Sequence, residues 1–416
     1  MKLRDKEIKK ILVIGYVWPE PNSSAAGSHI MSILRLFREK DWQVEFATPA
    51  QESDHAVNLD EEGITSQTIA LNCDSFDIYI KTYQPDIVLF DRFMMEEQFG
   101  WRVEKNCPTA LKILDTEDLQ CLRHARHQAH KAGLKMTQEN LYSDIAKREI
   151  AAILRSDISL IISSYEMDLL VDTFKVDASL LHHLPFMVDL AKCPVRTKTF
   201  SERKHFMTIG NFRHAPNWDV VLYLQQLWPL IRKQIPEAEL HIYGSYPPPK
   251  ATALHNPKTG FHIKGWAEDA FEVMENSRIC LAPIRFGAGI KGKLIDAMIM
   301  QTPSITTSLG SEGMHTDEPW GGVVADDIDT FVEAAVKLYT DEDSWRKAQK
   351  NGSALLHANY DSKVLGEGFI KKILEVQENL KQHRLNNFTG SMLKHHSMMS
   401  TKYMSQWIAE KNKTAP

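Results

Sequence analysis

Apolar positions along the chain fall into short continuous or alternating runs, and the stretches between them carry apolar residues at helical spacing. In the first half the runs are residues 11–15, 44–47, 87–90, 111–114 and 158–163. In the second half they are 206–210, 240–244, 261–265, 279–282, 304–307 and 322–325. Ile30, Ile33, Leu34 and Phe37 give the segment after the first run one apolar stripe, and Val220, Val221, Leu224, Leu227 and Ile231 do the same after residue 217. Strands alternating with amphipathic helices predict parallel sheets covered on both faces, hence an α/β fold.

The alternation stops once, at Leu184-Pro-Phe-Met-Val-Asp189 and Lys192-Cys-Pro-Val-Arg-Thr-Lys198, which are Pro-bearing and aperiodic, and restarts at Phe206. The expected organisation is therefore two doubly wound, Rossmann-like domains, 1–185 and 204–360, facing across a cleft. A last segment, 361–416, opens as a helix (Val364, Phe369, Ile370, Ile373, Leu374) expected to return to the first domain. Beyond Asn386 it becomes polar, with little that predicts order; Met398, Met399 and Trp407 leave a partner or peripheral membrane contact open.

Composition narrows the classes. A chain of 416 residues is long for one core, and a hydrophobic fraction of 43% with 25% charged residues is that of a globular protein. A formal charge of −5 argues against a nucleic-acid binder, so any anion site must be a local cluster of Lys and Arg. Five scattered cysteines without a Cys-x-x-Cys pair suit reduced thiols. The charged first ten residues run straight into a strand, and no apolar stretch reaches spanning length. The expected location is cytoplasmic, with the inner face of the membrane left open.

The segment with the clearest chemistry is Arg285-Phe-Gly-Ala-Gly-Ile-Lys-Gly-Lys-Leu-Ile-Asp-Ala-Met298. It reads as a strand, a glycine turn and a helix with two lysines in its first turn. Free N–H groups at a helix start beside positive charge suit a phosphate or diphosphate. Gly287, Gly289 and Gly292 carry no Cβ to hold a ligand off the main chain; Lys291 and Lys293 can neutralise it, and Asp296 can accept from ribose hydroxyls. The pattern points to a nucleotide diphosphate.

Thr208-Ile-Gly-Asn-Phe-Arg-His-Ala-Pro-Asn217, Ile242-Tyr-Gly-Ser245, Gly265-Trp266, the glycine–lysine corner, Pro303-Ser-Ile-Thr-Thr307 and Gly310-Ser-Glu-Gly-Met314 follow one another in this order. Together they resemble the donor half of the two-domain nucleotide-sugar glycosyltransferases of GT-B architecture, family 4 in particular, over about residues 205–345, with the first domain matching more loosely. The resemblance implies a retaining (hexosyl-type) transfer from a nucleotide diphosphate sugar to a hydroxyl acceptor without an obligatory metal. A saccharide, a lipid-linked sugar or a small molecule would accept, in polysaccharide or glycoconjugate synthesis. Asp296 stands where the family usually has Glu, and Ala288 where it commonly has another Glu eight positions earlier.

The resemblance implies roles residue by residue. Lys291 stabilises the leaving diphosphate. Gly210, Asn211 and Arg213 lie in a loop that approaches the diphosphate or the sugar; a surface Arg beside a helix start is the competing reading. Ser311 and Glu312 meet the base or ribose, or form an ordinary turn. Gly27 belongs to a loop touching the donor from the first domain, and His29, in the first turn of the helix that follows, can reach the cleft or simply pack. Asp115, Glu117 and Asp118 follow a strand, so they either orient acceptor hydroxyls, with Arg123 fixing the loop, or stabilise a helix start. Ser163-Ser-Tyr-Glu166 reads as a helix cap. His124, His127 and His130 read as solvated, and no metal ligands are expected. Two other outcomes stay open: a nucleotide-sugar 2-epimerase on the same architecture, and a nucleotide-sugar-binding protein without turnover.

Overall fold

The computed structural model describes residues 9–194 and 197–414. The first half runs β1 (Lys10–Ile14), α1 (Ala25–Glu39), β2 (Gln43–Thr48), β3 (Thr65–Thr68), α2 (Ser75–Tyr83) and β4 (Ile87–Asp91). It continues through α3 (Phe93–Asn106), β5 (Leu111–Asp115), α4 (Gln120–Lys131), α5 (Asp144–Arg155), β6 (Ile158–Ile161), α6 (Ser164–Asp172) and β7 (Leu181–His183). These strands form one parallel sheet in the order β3-β2-β1-β4-β5-β6-β7. The apolar runs become its centre: β1, β4, β5 and β6 are buried along almost their whole length, as strands covered on both faces must be.

The second half repeats the plan with β8 (Lys204–Ile209), α7 (Ala215–Gln234), β9 (Leu240–Tyr243), α8 (Pro249–Thr252), β10 (Phe261–Gly265), α9 (Ala270–Asn276) and β11 (Ser277–Ala282). After these come α10 (Gly292–Ile299), β12 (Ser304–Thr306), α11 (Ser308–Ser311), β13 (Gly322–Val324), α12 (Ile328–Thr340) and α13 (Glu342–Asn359). The sheet order is β10-β9-β8-β11-β12-β13, again parallel. In each sheet the order reverses beside the first strand, between β1 and β4 and between β8 and β11. Loops part at such a point and leave a crevice at the carboxyl ends of the strands.

Three helices close the chain: α14 (Ser362–Glu378), α15 (Leu380–Asn386) and α16 (Phe388–Thr414). Phe369, Ile370, Ile373 and Val376 of α14 join the core cluster of Ile11, Val13, Phe37 and Leu89 on the first sheet. The expectation of little order past Asn386 is corrected. Residues 388–414 form a helix packed on α3 and α5, with Met398 buried, and the Arg102 guanidinium donates to Ser405 Oγ at 3.2 Å. The polar composition misled because only one side of α16 touches protein; Tyr403, Met404 and Trp407 face outward.

The two passages between the halves lie side by side. Val188 N–H donates to Tyr360 O at 2.8 Å and Ser362 N–H to Val188 O at 2.9 Å, a parallel bridge between Val188 and Asp361.

Candidate active site

The helix start of α1 is set by Ser24, whose Oγ accepts from Gly27 N–H at 3.1 Å. Gly27 lets the preceding loop fold onto the helix: a Cβ there would lie 2.4 Å from the Glu20 backbone. Across the crevice, α10 begins at Gly292, and a Cβ on Gly292 would stand 2.5 Å from Ala25 Cβ. Two helix starts therefore abut, one from each sheet, so the positive ends of both dipoles converge on the same space.

The glycine–lysine corner lies along that line. Gly289, at φ 63°, takes a left-handed turn open to glycine, and its N–H donates to Glu166 Oε1 at 2.7 Å. Gly287 presents its carbonyl to Arg126 Nη1 at 3.0 Å. Lys291 Nζ donates to Gly289 O at 2.7 Å, and Lys293 Nζ to Asn217 Oδ1 at 2.9 Å. Both side chains are half-buried, and loss of hydration lowers their ammonium groups to about 8. Nearby Glu312 partly offsets this for Lys291. Burial likewise raises Asp296 to about 7, so its carboxyl is poised between its two forms near neutrality. Asn217 also closes against Gly210 and donates to Asn211 O at 3.1 Å, while Asn211 Oδ1 accepts from Arg213 N–H at 2.9 Å. Exposed Arg213 lies over the Tyr246 ring at 3.6 Å, and the Tyr246 hydroxyl reaches Glu20 of the first-half loop at 3.5 Å.

The first half contributes a buried acidic face at the carboxyl ends of β4 and β5. Burial, then repulsion from Asp91, raises Asp115 to about 7; burial, then Asp115, raises Glu117 to about 8. His29 is 1% exposed, with Nε2 3.7 Å from Asp115 Oδ2, and neither ring nitrogen has a hydrogen-bond partner among the described residues. Its pKa is lowered by burial, against the pull of Glu117 and Asp91. Asp118 is held by Arg123 Nη1 at 2.6 Å and abuts Gly289, whose Cβ would fall 2.8 Å from Asp118 Cβ.

Ser311 is buried at the end of α11, its Oγ turned to Ser308 O at 3.4 Å. Glu312 is held by Arg126 through two bonds of 2.7 and 2.9 Å, a fork-to-fork pair joining the two halves. Ala288, at the family's Glu position, packs against the first-half core. Beyond these, Ser23 Oγ donates to Ser245 Oγ at 3.1 Å, and His55 stacks on Trp266 with centroids 4.2 Å apart.

Two groups at this line were not read as site residues. Arg126 went unremarked among the histidines of α4. The capping pattern at Ser163-Ser-Tyr-Glu166 is not used: Glu166 Oε1 accepts from Gly289 N–H and from Leu119 N–H at 3.2 Å, and Ser163 makes no side-chain capping bond. Burial, then Asp118, raises Glu166 to about 8. The reading of the α4 histidines as solvated holds for His124 alone. His127 stacks on Phe286 at 4.4 Å, and His130 Nε2 lies 3.2 Å from Asp219 Oδ1, a carboxylate also held by Arg285.

Residues 203–341 match the family model described as "Glycosyl transferases group 1". An "Uncharacterized 44.6 kDa protein in cps region" of Klebsiella pneumoniae is 25% identical over 172 residues, 39% of this chain and 44% of that relative, so the match spans less than half of its length. Among solved structures, HepE of Anabaena in complex with UDP superposes with a TM-score of 0.67 at 9% identity, over 88% of this chain and 100% of that one. Sucrose-phosphate synthase from Thermosynechococcus elongatus gives 0.65 at 14% identity, over 88% and 99%. TarM gives 0.68 at 10% identity, over 89% and 99%. At such identities the likeness shows the fold, the two-sheet GT-B arrangement. Among the described residues no helix is long and apolar enough to cross a membrane.

Proposed function

We propose that this chain is a glycosyltransferase that moves a sugar from a nucleotide diphosphate donor to a hydroxyl acceptor, with retention at the anomeric carbon. The observation that carries the reading is the meeting of two helix starts at Gly292 and Ala25, with Lys291 and Lys293 beside them. That arrangement meets the negative charge that builds as a diphosphate departs. The match of residues 203–341 to the group 1 glycosyltransferases supports it, and the UDP complexes of HepE make UDP-sugars the first donors to try.

In this reading Lys291, Lys293 and the two helix starts grip the diphosphate, Asp296 accepts from the ribose, and the domains are 1–185 and 204–360. Gly27, Gly210, Asn211, Arg213, Ser311 and Glu312 complete the donor side as the domains close on the donor. His29, Asp115 and Asp118 face the acceptor. The bond from anomeric carbon to diphosphate oxygen breaks as the acceptor oxygen attacks the same face, and the acceptor proton passes to the leaving phosphate oxygen. The protein's share is orientation, exclusion of water and charge stabilisation, with no covalent intermediate. The cps region in the Klebsiella relative's name supports a role in polysaccharide synthesis; in this reading the chain acts on the cytoplasmic side and the acceptor is a saccharide, a lipid-linked sugar or a small molecule.

The buried acids Asp115 and Glu117 beside His29 favour one rival, a nucleotide-sugar 2-epimerase, since proton transfer at a sugar carbon needs such groups. Incubation with UDP-, GDP- and ADP-sugars separates the readings. Acceptor-dependent nucleotide release with a retained product supports transfer, and epimer formation without an acceptor replaces it by the rival. Tight binding without turnover leaves a binding protein.

A further inference from the structure

At the opposite end of the second sheet, histidines gather where no part of the proposed transfer needs them. β8, β9 and β10 open with the same pattern, an imidazole flanked by apolar or strand residues: His205-Phe206, Leu240-His241-Ile242 and Phe261-His262-Ile263. Because β9 and β10 pair in parallel with His262 opposite His241, the two rings fall on the same face, their centroids 5.3 Å apart. Glu239, two residues before His241, projects to that face too. Its Oε2 lies 2.7 Å from His241 Nε2 and 3.5 Å from His262 Nε2, and the three ligand atoms lie within 4.8 Å of one another.

We propose that Glu239, His241 and His262 form a binding site for a divalent transition-metal ion of the Zn2+ class, with water as the fourth ligand. Two imidazoles and one carboxylate are a donor set that Zn2+ takes with an open position. In a tetrahedron with bonds of about 2.0–2.1 Å, ligand atoms stand roughly 3.3 Å apart. The 3.5 Å pair already has that spacing, and the 2.7 Å pair has to open by only a fraction of an ångström. A second observation also points to a ligand: His262 Nε2 is buried and has no hydrogen-bond partner among the described residues, although it is aimed at the Glu239 carboxylate.

The surroundings hold the set in place. His205 Nδ1 accepts from the Glu239 backbone N–H at 3.2 Å, and His255 Nδ1 accepts from Ile263 N–H at 3.2 Å with its ring 5.4 Å from that of His262. Both rings thus fix the backbone of a ligand-bearing strand, a positioning role. Side-chain exposures of 18% for His241, 13% for His262 and 38% for Glu239 leave an entry path from solvent. The cation has to tolerate the exposed Lys264 on the same strand, and the Glu239 charge offsets it. The site lies at the amino ends of the strands, while Gly244 and Gly265 mark their carboxyl ends at the crevice. Its effect is therefore to clamp edge strand β10 onto β9, apart from the transfer chemistry.

The test uses the full-length chain, free of any affinity tag, stripped with a chelator and titrated calorimetrically with ZnCl2. One Zn2+ binds per chain, and X-ray absorption of the loaded protein shows imidazole nitrogen and carboxylate oxygen ligands. His262→Gln weakens binding by about a hundred-fold, and His205→Gln by roughly ten-fold as an outer-shell change. His124→Gln and His395→Gln leave it unchanged, and nucleotide-sugar turnover of stripped and loaded protein stays the same. Absence of one-to-one binding, a ligand shell without two imidazoles, or binding indifferent to both His262→Gln and Glu239→Gln overturns the proposal. The absorption spectrum of the unaltered protein keeps the test valid if a variant fails to fold.

Discussion

The two walls of the crevice are built by different means. On the second-sheet wall the glycine–lysine corner is one contiguous stretch, Gly287 to Asp296, which joins backbone groups, a helix start and the Lys291 and Lys293 side chains. The first-sheet wall is assembled from Asp91, Asp115, Glu117, Arg126 and Glu166, which come from two strand ends, a loop and two helices. A phosphate can be held by successive N–H groups, and the turn that aligns them needs neighbouring residues of fixed type. Buried long side chains that reach across a gap have no such constraint on spacing. One wall announces itself as a motif and the other does not.

That contrast can be tested from its strongest point downward. If the corner grips the diphosphate, Lys291→Ala lowers kcat/KM by roughly thirty-fold or more, about 2 kcal/mol for a lost charge-assisted contact; unchanged steady-state kinetics removes Lys291 from the mechanism. Arg126→Ala, on the other wall, should cost about ten-fold in donor KM by loosening the clasp on Glu312. In a double-mutant cycle with Glu312→Ala the two losses should fail to add by about 1 kcal/mol; simple additivity would mean that the pair contributes nothing to closure.

The two walls also shift their buried groups in opposite directions, the lysines downward and Glu117 upward, to about the same pH. Lys291 and Lys293, lowered to about 8, carry charge below that pH and lose it above. Donor affinity of the free protein should therefore fall as pH rises through about 8, and Lys291→Arg should move the fall upward. Flat affinity between pH 7 and 9.5 would contradict the assignment. The smallest effect lies in stability. Glu117 is raised from its ordinary 4.5 to about 8, so the folded state holds its proton more tightly than the unfolded chain. The stability this contributes is full below about 4.5 and lost as pH climbs through 8. Glu117→Gln should accordingly gain in melting temperature relative to the unaltered chain between pH 5 and 9, read by circular dichroism. A constant difference across that range would rule the titration out.

The parallel sheets were legible because continuous Ile/Val/Leu runs leave little else for those segments to be. β3, with the pattern Thr-Ser-Gln-Thr and wholly exposed, and the three-residue β7 were not, since neither carries an apolar signature. The helix of 388–414 was missed because its order comes from packing on α3 and α5 rather than from its own periodicity. Glu166 matched a capping pattern that the backbone did not use. The nearness of His241 and His262 comes from strand register across an intervening helix and loop, which spacing along the chain does not carry. Ala288 stood out in the sequence, and it lies partly buried against the first-half core.

The paired crossings at Val188 and Asp361 govern how such a molecule can open. Two linkers that ran separately would let the lobes slide or twist past each other. Stitched together by a pair of backbone hydrogen bonds, they behave as a single strap, and the lobes are left to swing about one line. Any swing that parts Gly292 from Ala25 must then part Glu312 from Arg126 as well, so admission of a substrate and release of that clasp become the same event.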